Sequence, residues 1–375
     1  MSADVYEKLA KHLDDLPAGF PSTESGVEMR ILRRLFTPSD AELAVHLTLI
    51  PEEPRVIAHR AKIPVAEAAR RLEEMRRKGL IFSIPQDNKP PLYMVMQFAV
   101  GFWEAQVNKL DPELVQDAEE YLFAFMDQSF WKASPQLRTI PVGKSINPQT
   151  EVMLYERAEE LVRVQKSFAV ANCICRQEQH ILGKGCDKPQ ESCLTFGMAA
   201  ESVVRNGQGR AISMEEALAI LQQAEKAGLV LQPANAKNAL FICTCCGCCC
   251  GVLRTLKRYP EPASIVASPF LASLNTHTCK GCGACAKRCQ MEAIYLADSR
   301  AVLDLKRCIG CGLCVSTCPT NSLSLVRKPK GEQPYVPKDI RETNIKLGKV
   351  RGKLSIGKMV GMQVKSKVDR LLAPR

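Results

Sequence analysis

Residues 279–289 read CKGCGACAKRC, and residues 308–318 read CIGCGLCVSTC with Pro319 directly after. Both are C-x2-C-x2-C-x3-C, so residues 277–326 hold an internal duplication with eight cysteines. Three thiolates two residues apart can wrap one side of a metal centre if the loop between them is small. Gly281, Gly283, Gly310 and Gly312 make it so and let backbone amides come close to sulfur. The fourth cysteine of each run starts a helical turn and points back across the axis relating the halves. Zinc sites use pairs of cysteines separated by a longer spacer, and this interlocked pattern does not match them.

The duplicated run resembles that of bacterial two-cluster 4Fe–4S ferredoxins, in which the fourth cysteine of each stretch serves the other cluster. The resemblance implies that one cluster takes Cys279, Cys282, Cys285 and Cys318, and the other Cys308, Cys311, Cys314 and Cys289. It also implies electron carriage with no substrate chemistry of the module's own. Short alternating strands at 293–296 and 322–325 support a duplicated hairpin fold. One departure stands out: Gln290-Met291 replaces the proline that usually follows the first run, which puts the packing near Cys289 in question. Lys280, Lys287, Arg288, Lys306 and Arg307 crowd the motifs with positive charge.

The chain has 375 residues, long enough for two or three domains. All 18 cysteines lie between Cys173 and Cys318. The opening MSADVYEKLAKHLDDLP is polar and has no apolar core of an export signal, so the protein is expected in the cytoplasm. In a reducing compartment dense cysteine means metal ligation or redox chemistry rather than disulfide staples. No apolar stretch approaches the roughly 20 residues needed to span a bilayer. The net charge of +11 is concentrated in residues 327–375, where 14 Lys and Arg face 4 Asp and Glu. Such a basic tail is either a solvated extension or a docking surface for an acidic protein, a membrane surface or a nucleic acid.

Ten cysteines lie outside the duplication. Cys173, Cys175, Cys186 and Cys193 have spacings of one, ten and six residues, which suit a further cubane; structural zinc is satisfied equally well by four thiolates. His180 lies between them as a candidate ligand or a surface residue. The stretch ICTCCGCCCG, residues 242–251, holds six more. Cys243, Cys246 and Cys249 repeat the C-x2-C-x2-C spacing, with Cys245 and Cys248 an offset pair. The loop therefore builds a third cubane or closes the site begun at Cys173–Cys193. Its Cys-Cys-Gly step resembles heterodisulfide-reductase modules, without their companion spacings. Three or four clusters in all are expected. The CxCR region, the cysteine-rich loop and the duplicated run together resemble 4Fe–4S dicluster-domain proteins of anaerobic bacteria.

The rest of the chain reads as α+β. Residues 28–98 show three helices and a two-stranded hairpin, which look like a winged helix. The third helix, 65–78, interleaves Arg70, Arg71, Arg76, Arg77 and Lys78 with Glu67, Glu73 and Glu74. Residues 1–100 are neutral, with 14 Lys and Arg against 14 Asp and Glu, so nucleic acid is disfavoured as a partner. A helical cysteine-rich domain is expected over 99–270, with Trp103, Phe123, Phe125, Phe130 and Trp131 in its core and a proline-containing linker at 135–148. Residues 213–228 form an amphipathic helix capped by Ser213 and stopped by Gly228. The two-cluster domain is expected at 271–327 and the basic tail at 328–375, after an N-terminal segment at 1–27.

No G-x-G-x-x-G, phosphate loop or hydrolytic triad is present. The composite reading is an iron–sulfur electron carrier, a subunit or adaptor between redox partners such as a flavoprotein or an oxidoreductase complex. Two alternatives are an oxidoreductase reducing a disulfide or small acceptor at the cysteine-rich loop, and a redox-sensing winged-helix regulator.

Overall fold

A computed structural model describes residues 4–126, 132–146 and 151–374. The chain is α+β and divides into two compact units, each with its own core. One comprises Met1–Phe125, Arg205–Gln208 and Asn344–Arg375; the other comprises Met126–Val204 and Gly209–Thr343.

In the first unit, helices Val27–Leu35, Pro38–Ala44, Pro54–Ala61 and Val65–Lys78 lead into a hairpin of β1 (Ile81–Gln86) and β2 (Lys89–Val95). The boundaries follow local chemistry. Thr37 and Asp40 close a reciprocal capping box at the start of the second helix, and Gly79 ends the fourth at φ +82°. Helix Pro112–Phe125 crosses Val27–Leu35 through Arg30 and Arg34, both paired with Asp117. Its aromatic side chains join Phe20, Phe36, Phe98 and Phe102 in a core of edge-on ring contacts. Trp103 and Phe125 are buried and Phe123 half-buried; Phe130 and Trp131 lie outside the described residues.

The basic C-terminal segment ends in helix Ile356–Leu372, packed by Ser366 Oγ donating to Glu52 at 2.6 Å and by the Arg60–Asp369 pair at 2.5 Å. Its outer side shows Ile356, Val360, Val364 and Val368 to solvent at four-residue spacing. Among the described residues no helix is long and apolar enough to cross a membrane.

The second unit corrects the expectation of a helical middle domain. It contains a five-stranded antiparallel sheet in the order β5-β3-β4-β7-β6: β3 Phe168–Asn172, β4 Glu191–Phe196, β5 Gly209–Ala211, β6 Val230–Pro233 and β7 Phe241–Cys245. Each strand spans only three to six residues, too few for alternation to show against the helical pattern around them. Val170, Leu194, Phe196 and Ile242 are fully buried in it. Helix Met214–Lys226, capped by Ser213 accepting from the Glu216 amide, packs Ala217, Leu221 and Ala224 inward. Beyond the sheet, β8 Phe270–Leu274 pairs with β11 Leu323–Arg327, and β9 Ile294–Ala297 with β10 Arg300–Leu303. One strand thus precedes and one follows each duplicated run, and the pairs connect first with last and second with third.

Candidate metal centres

The duplicated run encloses two cavities. Cys279, Cys282, Cys285 and Cys318 line one, and Cys289, Cys308, Cys311 and Cys314 line the other. Each set draws three cysteines from one run and the fourth from the other. Gly281 and Gly310 occupy equivalent loop positions at φ +64° and +69°. A Cβ at Gly281 would meet Ser299 O, and one at Gly310 would meet Phe270 O, so only glycine lets these loops pass so close to the strands.

Sulfur receives backbone amides in both halves. Ala293 N donates to Cys289 at 3.2 Å and Ser322 N to Cys318 at 3.3 Å, the same four-residue step in each half, while Ala272 N donates to Cys308 at 3.4 Å. Burial raises the Cys318 thiol, but the Thr320 hydroxyl and nearby amides outweigh it, and the net shift is downward. Cys311 has no such excess of donors: burial pushes it up to about 12. Thiolates at these buried positions need a compensating cation, which is what an iron–sulfur cluster supplies. The donor set, the glycine cradles and the amide–sulfur contacts fit two such groups.

The Gln290-Met291 departure has a structural reason. Met291 is buried, and Gln290 Oε1 accepts from Gly247 N at 2.7 Å, next to Cys246 and Cys248. A Cβ on Gly247 would meet Gln290 O. The residue after Cys289 therefore ties the second cavity to the cysteine-rich turn.

The ten remaining cysteines gather in two sets, each joining cysteines of the 173–193 region to cysteines of the 242–251 loop. Cys186, Cys246, Cys248 and Cys249 have sulfurs all within 4.8 Å of one another. Cys173 neighbours Cys175, Cys175 neighbours Cys250, Cys250 neighbours Cys245, Cys245 neighbours Cys243, and Cys243 neighbours Cys193. The C-x2-C-x2-C register of Cys243, Cys246 and Cys249 is thus split. Cys243 lies in the extended strand β7 and shares a face with Cys245, whereas Cys246 and Cys249 lie in the turn beyond it. Cys193 falls opposite Cys243 by continuation of the β4–β7 register, in which Leu194 pairs with Ile242. Cys250 begins helix Gly251–Lys257, where amides of Val252 and Leu253 favour its thiolate. Cys186 leaves its spacing partners because the loop through Gly183, at φ +70°, carries it away after helix Ile174–Ile181. His180 is exposed and outside both sets.

Three residues of these sets escape a reading by spacing: Cys245, Cys248 and Cys250. Strand alternation would have paired Cys245 with Cys243; only tertiary structure places the other two.

Arg176 stands between the two sets. It is completely buried, and its guanidinium donates to Pro189 O at 2.6 Å, Ser192 Oγ at 2.7 Å and Thr244 O at 2.5 Å. Burial works to lower its pKa, but Cys173, Cys245 and Cys246 reverse the shift, holding the guanidinium firmly charged. Its Nε–H has no oxygen, nitrogen or sulfur partner among the described residues. A buried cation with a donor to spare is what a group of anionic sulfur ligands requires.

Residues 278–322 match the family model of the 4Fe-4S dicluster domain, which makes this segment a ferredoxin-type module that binds 4Fe–4S clusters. No curated protein matches the chain.

Proposed function

We propose that the protein carries single electrons between redox partners, as a subunit or adaptor, with two 4Fe–4S clusters held by Cys279/Cys282/Cys285/Cys318 and Cys289/Cys308/Cys311/Cys314. The observation that carries this reading is the convergence of eight cysteines, four and four, on two cavities inside the segment that matches the 4Fe-4S dicluster domain. Bound clusters supply one-electron chemistry; the chain supplies thiolates, amide donors and a buried setting that tune it. The six-thiol set around Arg176 supports a third redox group. The Gln290–Gly247 contact supports a connection between it and the module.

The hairpin and helices of residues 27–95 support a winged-helix reading with a protein-docking rather than nucleic-acid role. On helix Val65–Lys78 all five cations are paired: Arg70 with Glu74, Arg71 with Glu67, Arg76 and Arg77 with Glu73, and Lys78 with Asp40. Little charge is left to neutralise phosphates. The exposed valine stripe of helix Ile356–Leu372, with Lys358, Lys365 and Lys367 on the same helix, supports an acidic protein partner. Stopped-flow mixing of the anaerobically reduced protein with a one-electron acceptor tests the reading. Rapid, complete reoxidation in the wild type, slowed in Cys282→Ser, is expected; an acceptor rate unchanged by Cys282→Ser removes the module from the electron path.

A further inference from the structure

We infer that Cys186, Cys246, Cys248 and Cys249 form a closed site for one tetrahedral zinc ion, distinct from every iron–sulfur centre of the chain. Dimension carries the assignment. Cys186 Sγ lies 3.9 Å from Cys246 Sγ and 3.5 Å from Cys249 Sγ, and Cys249 Sγ lies 3.7 Å from Cys248 Sγ. Four sulfurs each about 2.3 Å from a single ion stand about 3.8 Å apart at the corners of a tetrahedron. The thiols already have that spacing. Thiolates of a cubane must stand much farther apart, because each binds a different iron from outside the cage.

The molecule contains its own contrast. Among the described residues this is the one group of three or more Cys, His, Asp or Glu side chains whose ligand atoms all come within 4.8 Å of one another. The eight cysteines of the module do not close up in this way; they line two separate pockets, four and four. One fold therefore builds two kinds of thiol site: two whose sulfurs stand apart around a pocket, and one already drawn in to the size of an ion.

Donor chemistry agrees. Four thiolates saturate zinc and leave no open position, the arrangement of structural rather than catalytic sites. They would bring four negative charges to a divalent ion, and the excess needs support. Arg176 is held beside Cys246, and the amides of Lys188 and Cys249 donate to Cys186 and Cys246. Bound zinc would fasten the loop after helix Ile174–Ile181 to the turn that presents Gly247 to Gln290, fixing the surface between this region and the module. The site would be redox-inert, which confines electron chemistry outside the module to the six-thiol set.

The experiment is zinc K-edge X-ray absorption, with zinc, iron and acid-labile sulfide counts, on the full-length protein purified anaerobically from medium supplied with both metals. About one zinc per chain with four sulfurs near 2.3 Å is expected. Cys248→Ser, at an exposed position, should lose most of the zinc with iron and sulfide unchanged. The inference is overturned by zinc well below one per chain, by nitrogen or oxygen in the first shell, or by loss of about four iron atoms in Cys248→Ser, the content of a cubane. The wild-type absorption spectrum decides even where the variant fails to fold. Because it reads zinc alone, the outcome is independent of whether the module carries electrons.

Discussion

Replacing Arg176 with methionine tests how the cysteine-rich half of the second unit is held. The guanidinium bridges Pro189 O, just before β4, and Ser192 Oγ, within β4, to Thr244 O in β7, all within 2.7 Å. Methionine fills much of the volume, so the cavity left behind is small. What is lost is polar. Each buried acceptor left unsatisfied costs about 1–3 kcal/mol, and two of the three are backbone carbonyls. Breaking a buried charge pair costs about 3–5 kcal/mol, a term that overlaps the first rather than adding to it. A destabilisation of about 3–5 kcal/mol is therefore expected for the protein with its metals bound. In the apoprotein, where fewer sulfurs are ionised than with metal bound, the charge part is smaller and the loss should shrink toward the hydrogen-bond part. Arg176→Lys keeps the charge but cannot span three acceptors, so it should fall between. The assay is anaerobic urea unfolding followed by circular dichroism, with metal and sulfide counted before and after. A loss under about 1 kcal/mol, equal in apo and metal-bound protein and without change in metal content, would refute the assignment of Arg176 as counter-charge.

Further consequences are as direct. Gln290→Ala removes the acceptor for Gly247 N; exchange of that amide should accelerate about tenfold, corresponding to about 1.4 kcal/mol, with iron content unchanged. Gly310→Ala forces a Cβ onto Phe270 O at positive φ and should lower iron per chain, whereas Gly207→Ala, at a comparable φ with no atom nearby, should not. Cluster assembly must remove protons from thiols such as Cys311, raised to about 12, so chelators should strip iron faster as pH falls, checked by absorbance against time. The Arg76 guanidinium lowers Glu73 to about 2 from an ordinary value near 4.5. Its contribution is full above pH 4.5 and lost as pH falls through 2. The melting difference between wild type and Glu73→Gln should close over that window and stay small, since the pair is partly solvated.

The sequence made some of this legible and hid the rest for physical reasons. The duplicated run was readable because all its ligands lie within a few residues and its glycines are dictated by close approach. Helices such as Val65–Lys78 and Met214–Lys226 were readable from their periodicity and caps, which are local. The five-stranded sheet was not, because β3, β4 and β7 are short and two of them carry cysteines where apolar side chains would mark the alternation. The partition of the ten other cysteines is wholly tertiary. Cys186 and Cys246 are sixty residues apart in the chain, and adjacent residues Cys249 and Cys250 face different sets because Cys249 closes the turn while Cys250 caps the helix that starts at Gly251. Gln290 looked like a lapse from pattern until its partner Gly247 was seen.

The central claim is tested most directly by reductive titration of the anaerobically purified protein, with iron and sulfide counts and electron paramagnetic resonance on the same sample. At least about eight iron and eight sulfide per chain are predicted, with two magnetically coupled clusters each taking up one electron. Fewer than about four iron per chain, or a full complement of iron that accepts no electrons, would contradict it.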